Sequence, residues 1–125
     1  MIDFQIALIV SSDQEIRERF SRLINQIGAT CVIEKDRDKA LNRMLEVDVR
    51  LAIVDMEGDD RENLDFLSAV KKLRPRVPIM AITDDSTEEL RNQLFNQGVY
   101  CCFVKPLAKK DTKEIISKVG EELKK

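Results

Sequence analysis

The 125-residue sequence contains no histidine and no tryptophan, and only three cysteines, three prolines and four glycines. Without histidine the usual general base is missing, so Ser-His-Asp and Cys-His nucleophilic sites are excluded. Cys31, Cys101 and Cys102 are odd in number and lack CxxC spacing, which argues against a disulfide framework or a zinc site; all three are expected in the core. No GxGxxG or Walker run occurs, which disfavours nucleotide enzymes. No apolar run approaches the ~18 residues that would span a bilayer, and the N-terminus lacks the basic start and cleavage site of a signal peptide. A soluble, cytoplasmic chain with no membrane role is therefore expected. Excess charge is lacking too: 21 basic against 23 acidic residues leave a net charge of −2, too little to grip nucleic acid.

What is present is an alternation of short apolar runs and helical patterns. The runs "IALIV" (6 to 10), "TCVIE" (30 to 34), "VRLAIVD" (49 to 55), "VPIMAIT" (77 to 83) and "VYCCFV" (99 to 104) have the length and continuity of parallel strands covered on both faces. Between the first two, Ile16, Phe20, Leu23, Ile24 and Ile27 recur at helical spacing, predicting a helix over 13 to 27 that stops at Gly28. Asp36 precedes a second helix carrying Ala40, Leu41, Met44 and Leu45. The stretch "GDDRENLD" (58 to 65) reads as a polar turn before a helix placing Leu67, Val70 and Leu73 inward and ending before Pro75. Ser86-x-x-Glu89 is a capping signature for a fourth helix through Leu90, Leu94 and Phe95. Asp111 is the expected cap of a fifth, with Ile115, Ile116 and Val119 facing the core.

Five strands alternating with five helices predict an α/β fold, a doubly wound five-stranded parallel sheet formed by residues 1 to 125 as a single domain. For the flavodoxin-like strand order 2-1-3-4-5, the crevice lies at the carboxyl ends of the first and third strands. Ser11, Ser12 and Asp55 would converge there, with Thr83 and Lys105 on the same rim. Each has an ordinary reading when taken alone. Ser12-Asp13-Gln14-Glu15 is an S-x-x-E capping box, Ser11 a turn former, Asp55 a turn or cap residue, Thr83 a cap, and Lys105 a solvated charge.

Taken together, Asp55 ending "LAIVD", Thr83 ending "IMAIT" and Lys105 in "FVKP" resemble the receiver domain of two-component response regulators, over essentially the whole chain. The resemblance implies that Asp55 is the phosphoacceptor and that Thr83 and Lys105 bind the phosphoryl group. It also implies Mg²⁺ held by an acidic pair after the first strand, by the acceptor aspartate, and by a backbone carbonyl that here belongs to Glu57. The sequence departs from that pattern at the pair itself. Aligning "IVSSDQEIR" with the family's usual start puts Ser11 and Ser12 on the acidic positions. Mg²⁺ commonly uses one or two carboxylates, so neutral hydroxyls imply weak Mg²⁺ binding or none, and no cofactor is expected. Asp55 and Lys105 would balance in charge and attract by roughly 1 to 4 kcal/mol at about 4 Å, predicting a direct contact between them.

Further departures follow. Asp84 stands where a small residue usually leaves room for the phosphoryl group, and Cys102 falls on the position of the family's aromatic switch, with Phe103 on the opposite face of the strand. Asn63 takes the place of a common glycine, for which asparagine's tolerance of a left-handed backbone suits it. A metal site rebuilt from Asp13, Glu57 and Asp84 would need side chains reaching inward from unusual positions.

These readings imply an atypical receiver, not an enzyme, that acts mainly as an interaction module in phosphorelay signalling, with phosphorylation weak, Mg²⁺-independent or absent. The alternative is a conventional receiver phosphorylated on Asp55 by a sensor histidine kinase. A third reading is a flavodoxin-like FMN redox protein, against which stand the glycine-free loop at Ser11-Ser12 and the acids Asp13 and Glu15 at the helix start. The partners implied are a sensor kinase or other signalling protein, and an output domain or second copy across the fourth helix, fifth strand and last helix.

Overall fold

A computed structural model describes residues 5–85 and 87–123. Its elements alternate as β1 (Ile6–Val10), α1 (Gln14–Gln26), β2 (Thr30–Glu34), α2 (Arg37–Glu46), β3 (Val49–Asp55), α3 (Asp60–Leu73), β4 (Ile79–Thr83), α4 (Glu88–Asn96), β5 (Cys101–Val104) and α5 (Lys109–Leu123). The five strands form one parallel sheet in the order β2-β1-β3-β4-β5. β1 and β3 run side by side with Val10 level with Val54, which brings Ser11 and Asp55 together at the carboxyl edge.

Alternation along each strand divides the core. Leu8, Val10, Ala52, Val54 and Ala81 pack against α2, α3 and α4, while Ala7, Ile9, Ile53, Met80, Ile82 and Phe103 pack against α1 and α5. Both faces of β1, β3 and β4 are covered, which is why these strands read as continuous apolar runs. Complete burial of Phe20, Ile24 and Ile53 stabilises by roughly 1.5 to 3 kcal/mol each. On the second face, Phe20 and Phe103 meet with ring centroids 6.0 Å apart.

Several boundaries differ from the sequence expectation, and each difference has a local cause. β4 starts at Ile79 and β5 at Cys101, two residues later than the apolar runs. Val77 and Val99 are buried, but their amides close turns onto Arg74 and Leu94; hydrophobicity reports burial, not ladder bonding. α3 starts at Asp60, with Asp59 accepting from the Arg61 and Glu62 amides, so most of the polar stretch is an exposed helical turn. α1 is capped by Asp13, whose carboxylate accepts from the Glu15 amide. Ser12 therefore does not close the expected capping box. Thr87 caps α4, and the Ser86 of the expected signature lies outside the described residues. α5 begins at Lys109, placing Asp111 inside the helix instead of at its cap. Ile116 is buried as expected, whereas the side chains of Ile115 and Val119 lie outside the described set.

Two corrections concern composition-based readings. The three cysteines are half-buried instead of fully packed. Asn63 sits within α3, and among the described residues no non-glycine residue has positive φ; the left-handed position in that turn belongs to Gly58, at φ 77°. A residue without a Cβ is needed there for backbone reasons, and Asn63 is free to serve as a hydrogen-bonding residue.

Candidate functional site

The site forms at the carboxyl ends of β1, β3, β4 and β5, where the elements deliver Ser11, Asp55, Thr83 and Lys105 in turn. Asp55 is the last residue of β3, and its side chain is only 1% exposed. Ser11 Oγ donates to Asp55 Oδ2 at 2.8 Å and accepts from the Asp13 amide at 3.0 Å. Lys105 Nζ lies 3.1 Å from Asp55 Oδ1 and 3.4 Å from Oδ2. The expected Asp55–Lys105 contact is thus present. At Oδ1 the ammonium is close enough to pair but not aligned as a hydrogen-bond donor, so the attraction there is electrostatic.

The electrostatics follow from unequal burial. Burial pushes the Asp55 carboxyl above its ordinary value, and the Ser11 hydroxyl and Lys105 pull it back only in part. Lys105 keeps 30% of its side chain exposed. Its ammonium is shifted upward, because the Asp55 carboxylate, helped by Asp13 and Glu57, outweighs the opposing cost of its own burial. The aspartate bears most of the desolvation cost, while the better-solvated lysine gains from the pair.

Ser12 is exposed and donates from Oγ to Glu57 Oε2 at 2.5 Å. The Glu57 carbonyl, the backbone group that the receiver pattern offers to a metal, accepts from Arg37 NH2 at 2.6 Å and from Asn63 Nδ2 at 3.1 Å. Arg37 NH2 also donates to Asn63 Oδ1. Asn63 is fully buried, and the Arg37 guanidinium lies 3.6 Å from Glu62 Oε2 on its other side. No sequence signal pointed to Arg37 or Asn63 as partners of Glu57, since they lie 20 and 6 residues away on different helices.

Thr83 is buried at the end of β4, and its hydroxyl accepts from the Asp85 amide at 3.1 Å. Among the described residues, no hydrogen bond links it to Asp55. Asp84 is exposed. Cys102 is half-buried against the α2–α3–α4 side of the sheet, and Phe103 is buried on the other side against α1 and α5, so no aromatic ring occupies the switch position.

These donors do not fit Mg²⁺. Ser11 and Ser12 bring hydroxyls instead of carboxylates, both already bonded to acids, and the Glu57 carbonyl is taken. Among the described residues no group of three or more histidine, cysteine, aspartate or glutamate side chains gathers as a metal site. Chemically the arrangement holds one nearly neutralised carboxylate, charge-balanced by one lysine and hydrogen-bonded by one serine.

Comparison with known proteins accords with this geometry. Residues 7–117 match the response regulator receiver domain family. An NtrX-like response regulator of Rickettsia bellii is 26% identical over 101 residues, covering 79% of this chain and 21% of its own length, so the chain spans about a fifth of that relative. Among solved structures, a CheY-like receiver domain protein from Methanospirillum hungatei superposes with a TM-score of 0.83 at 23% identity, covering 98% of both chains. A response regulator from Thermotoga maritima gives 0.84 at 15% identity over 95% of this chain and 99% of its own; these two show the fold. Among the described residues no helix is long and apolar enough to cross a membrane. With the sheet order, the Asp55–Lys105 pair and the family match over residues 7–117 together, the chain belongs to the response regulator receiver domain family of two-component signalling.

Proposed function

We propose that this receiver acts in the cytoplasm mainly as a protein interaction module, with phosphorylation of Asp55 weak, Mg²⁺-independent or absent. The observation that carries this reading is the state of Asp55: a carboxylate 1% exposed, bonded by Ser11 at 2.8 Å and paired with Lys105 at 3.1 Å. Phosphoryl transfer to a carboxylate needs an approachable oxygen in line with the donor and cations that neutralise the equatorial oxygens in the transition state. Here the Lys105 ammonium is engaged with the acceptor itself. The acids Asp36, Glu57, Glu62 and Asp65 beside a cavity of about 810 Å³ outnumber Lys35 and Arg37 on the same lining and so oppose an incoming anion.

The interaction role draws on the surface around α4 and β5. Phe95 on α4 is 47% exposed and Tyr100, immediately before β5, is 50% exposed. Large apolar groups exposed in this way favour a protein partner: a kinase, an output domain or a second copy of the chain.

The conventional reading, phosphorylation on Asp55 by a sensor histidine kinase, is favoured by one observation. Asp55 Oδ1 accepts no aligned hydrogen bond, which leaves a lone pair for attack if Lys105 swings aside. The flavin reading has no such support, and Asp13 at the start of α1 would repel a phosphate there. Incubation with acetyl phosphate and Mg²⁺, followed by intact mass measurement beside an Asp55→Ala control, separates the first two readings. Little or no 80 Da adduct is expected, that mass being one phosphoryl group by stoichiometry; a stoichiometric adduct that requires Asp55 overturns the proposal.

A further inference from the structure

Arg37 is the first residue of α2, and its side chain is 28% exposed. Its guanidinium crosses to the β3–α3 turn, where NH2 donates 2.6 Å to the Glu57 carbonyl and also to Asn63 Oδ1. Asn63 in turn donates to the same carbonyl at 3.1 Å. Glu57 is thereby held at its backbone by Arg37 and Asn63 and at its carboxylate by Ser12. A surface Arg–Glu pair such as Arg37 with Glu62, at 3.6 Å, adds little by itself. The bonds to the Glu57 carbonyl and to the fully buried Asn63 amide are different: they are charge-assisted, and the one to Asn63 Oδ1 satisfies an oxygen that is shielded from water.

We propose that Arg37 is the resident cation of this site, a positioning residue that takes the Glu57 carbonyl a divalent ion would require and fixes the β3–α3 turn without metal. The inference deepens the reading above and rests on the site's independence of Mg²⁺. Its chemical basis is the planar guanidinium, whose NH2 nitrogen directs two coplanar hydrogens at two acceptors while NH1 faces Glu62; a lysine side chain ends one bond shorter and brings no second nitrogen to Glu62. Two separate changes therefore remove the metal: the acidic pair is replaced by Ser11 and Ser12, and the third ligand is occupied by Arg37.

Two measurements test the proposal. In the first, amide hydrogen exchange is compared for the wild type, Arg37→Ala and Arg37→Lys, without metal. Exchange across residues 57 to 63 is expected to accelerate about tenfold or more in both variants, with β1 and β4 unchanged; unchanged rates at 57 to 63 overturn the proposal. In the second, Mg²⁺ is titrated by calorimetry into Ser11→Asp/Ser12→Asp and into the same protein with Arg37→Ala added. The triple variant is expected to bind about tenfold more tightly. No gain from Arg37→Ala, including no binding by either protein, overturns the assignment. A phosphoryl adduct on the wild type would sink the reading of Asp55 as a poor acceptor while leaving the exchange result standing, so the two failures are distinguishable.

Discussion

Ser11 Oγ donates to Asp55 Oδ2 at 2.8 Å, so the residue on the first acidic-pair position supports the β3 carboxylate instead of repelling it. Ser11→Asp should reverse that sign. Two carboxylates in this buried corner repel by roughly 1 to 4 kcal/mol, and urea denaturation at pH 7 should show a loss of that order. The loss should shrink as pH falls and one of the two carboxyls takes up a proton.

Lys105 supplies the countercharge to a carboxylate that is almost wholly shielded from water. Removing one partner of a fully buried pair costs about 3 to 5 kcal/mol. Because Lys105 is 30% exposed, Lys105→Met should cost less, about 2 kcal/mol at pH 7. Asp55 should then titrate still higher, a change readable by NMR of its side-chain carbon.

The pH dependence has a definite sign. Asp55 holds its proton more tightly in the folded chain, because burial raises its pKa above 3.8. Its contribution to stability is fully present below that value and is lost as pH rises through the folded pKa. Asp55→Asn, which cannot ionise, should remove this decline and be more stable than the wild type at pH 7. Chemical denaturation of both proteins from pH 3 to 8 checks it; parallel profiles would contradict the assignment. For Lys105 the upward shift places the loss at the alkaline end, above 10.5.

Capping provides a local test. Asp13 accepts from the Glu15 amide at the start of α1, whereas Ser12 bonds Glu57. Asp13→Ala should cost about 1 kcal/mol and Ser12→Ala only a few tenths, since an exposed hydroxyl–carboxylate bond adds little. Equal losses in thermal melts would return the cap to Ser12.

The order of the elements was legible in the sequence because both faces of the central strands β1, β3 and β4 are covered, leaving uninterrupted apolar runs between amphipathic helices. Strand starts were less legible: Val77 and Val99 are as buried as strand residues yet bond within turns. Capping at Ser12 was misread because S-x-x-E is satisfied on paper, whereas in three dimensions the Ser12 hydroxyl bonds Glu57 and Asp13 takes the cap.

By itself the sequence determined the fold class and the absence of histidine chemistry, since each is carried by residue type and spacing along one chain, and resemblance to the family put Ser11 and Ser12 on the expected acidic-pair positions. Only the tertiary structure decided what Glu57 and Asn63 do and brought Arg37 to them. Arg37 reaches Glu57 across 20 positions and Asn63 across 26, and a guanidinium at the start of α2 meets the turn after β3 only because the sheet order β2-β1-β3 sets those two ends on either side of β1 at the same edge of the sheet.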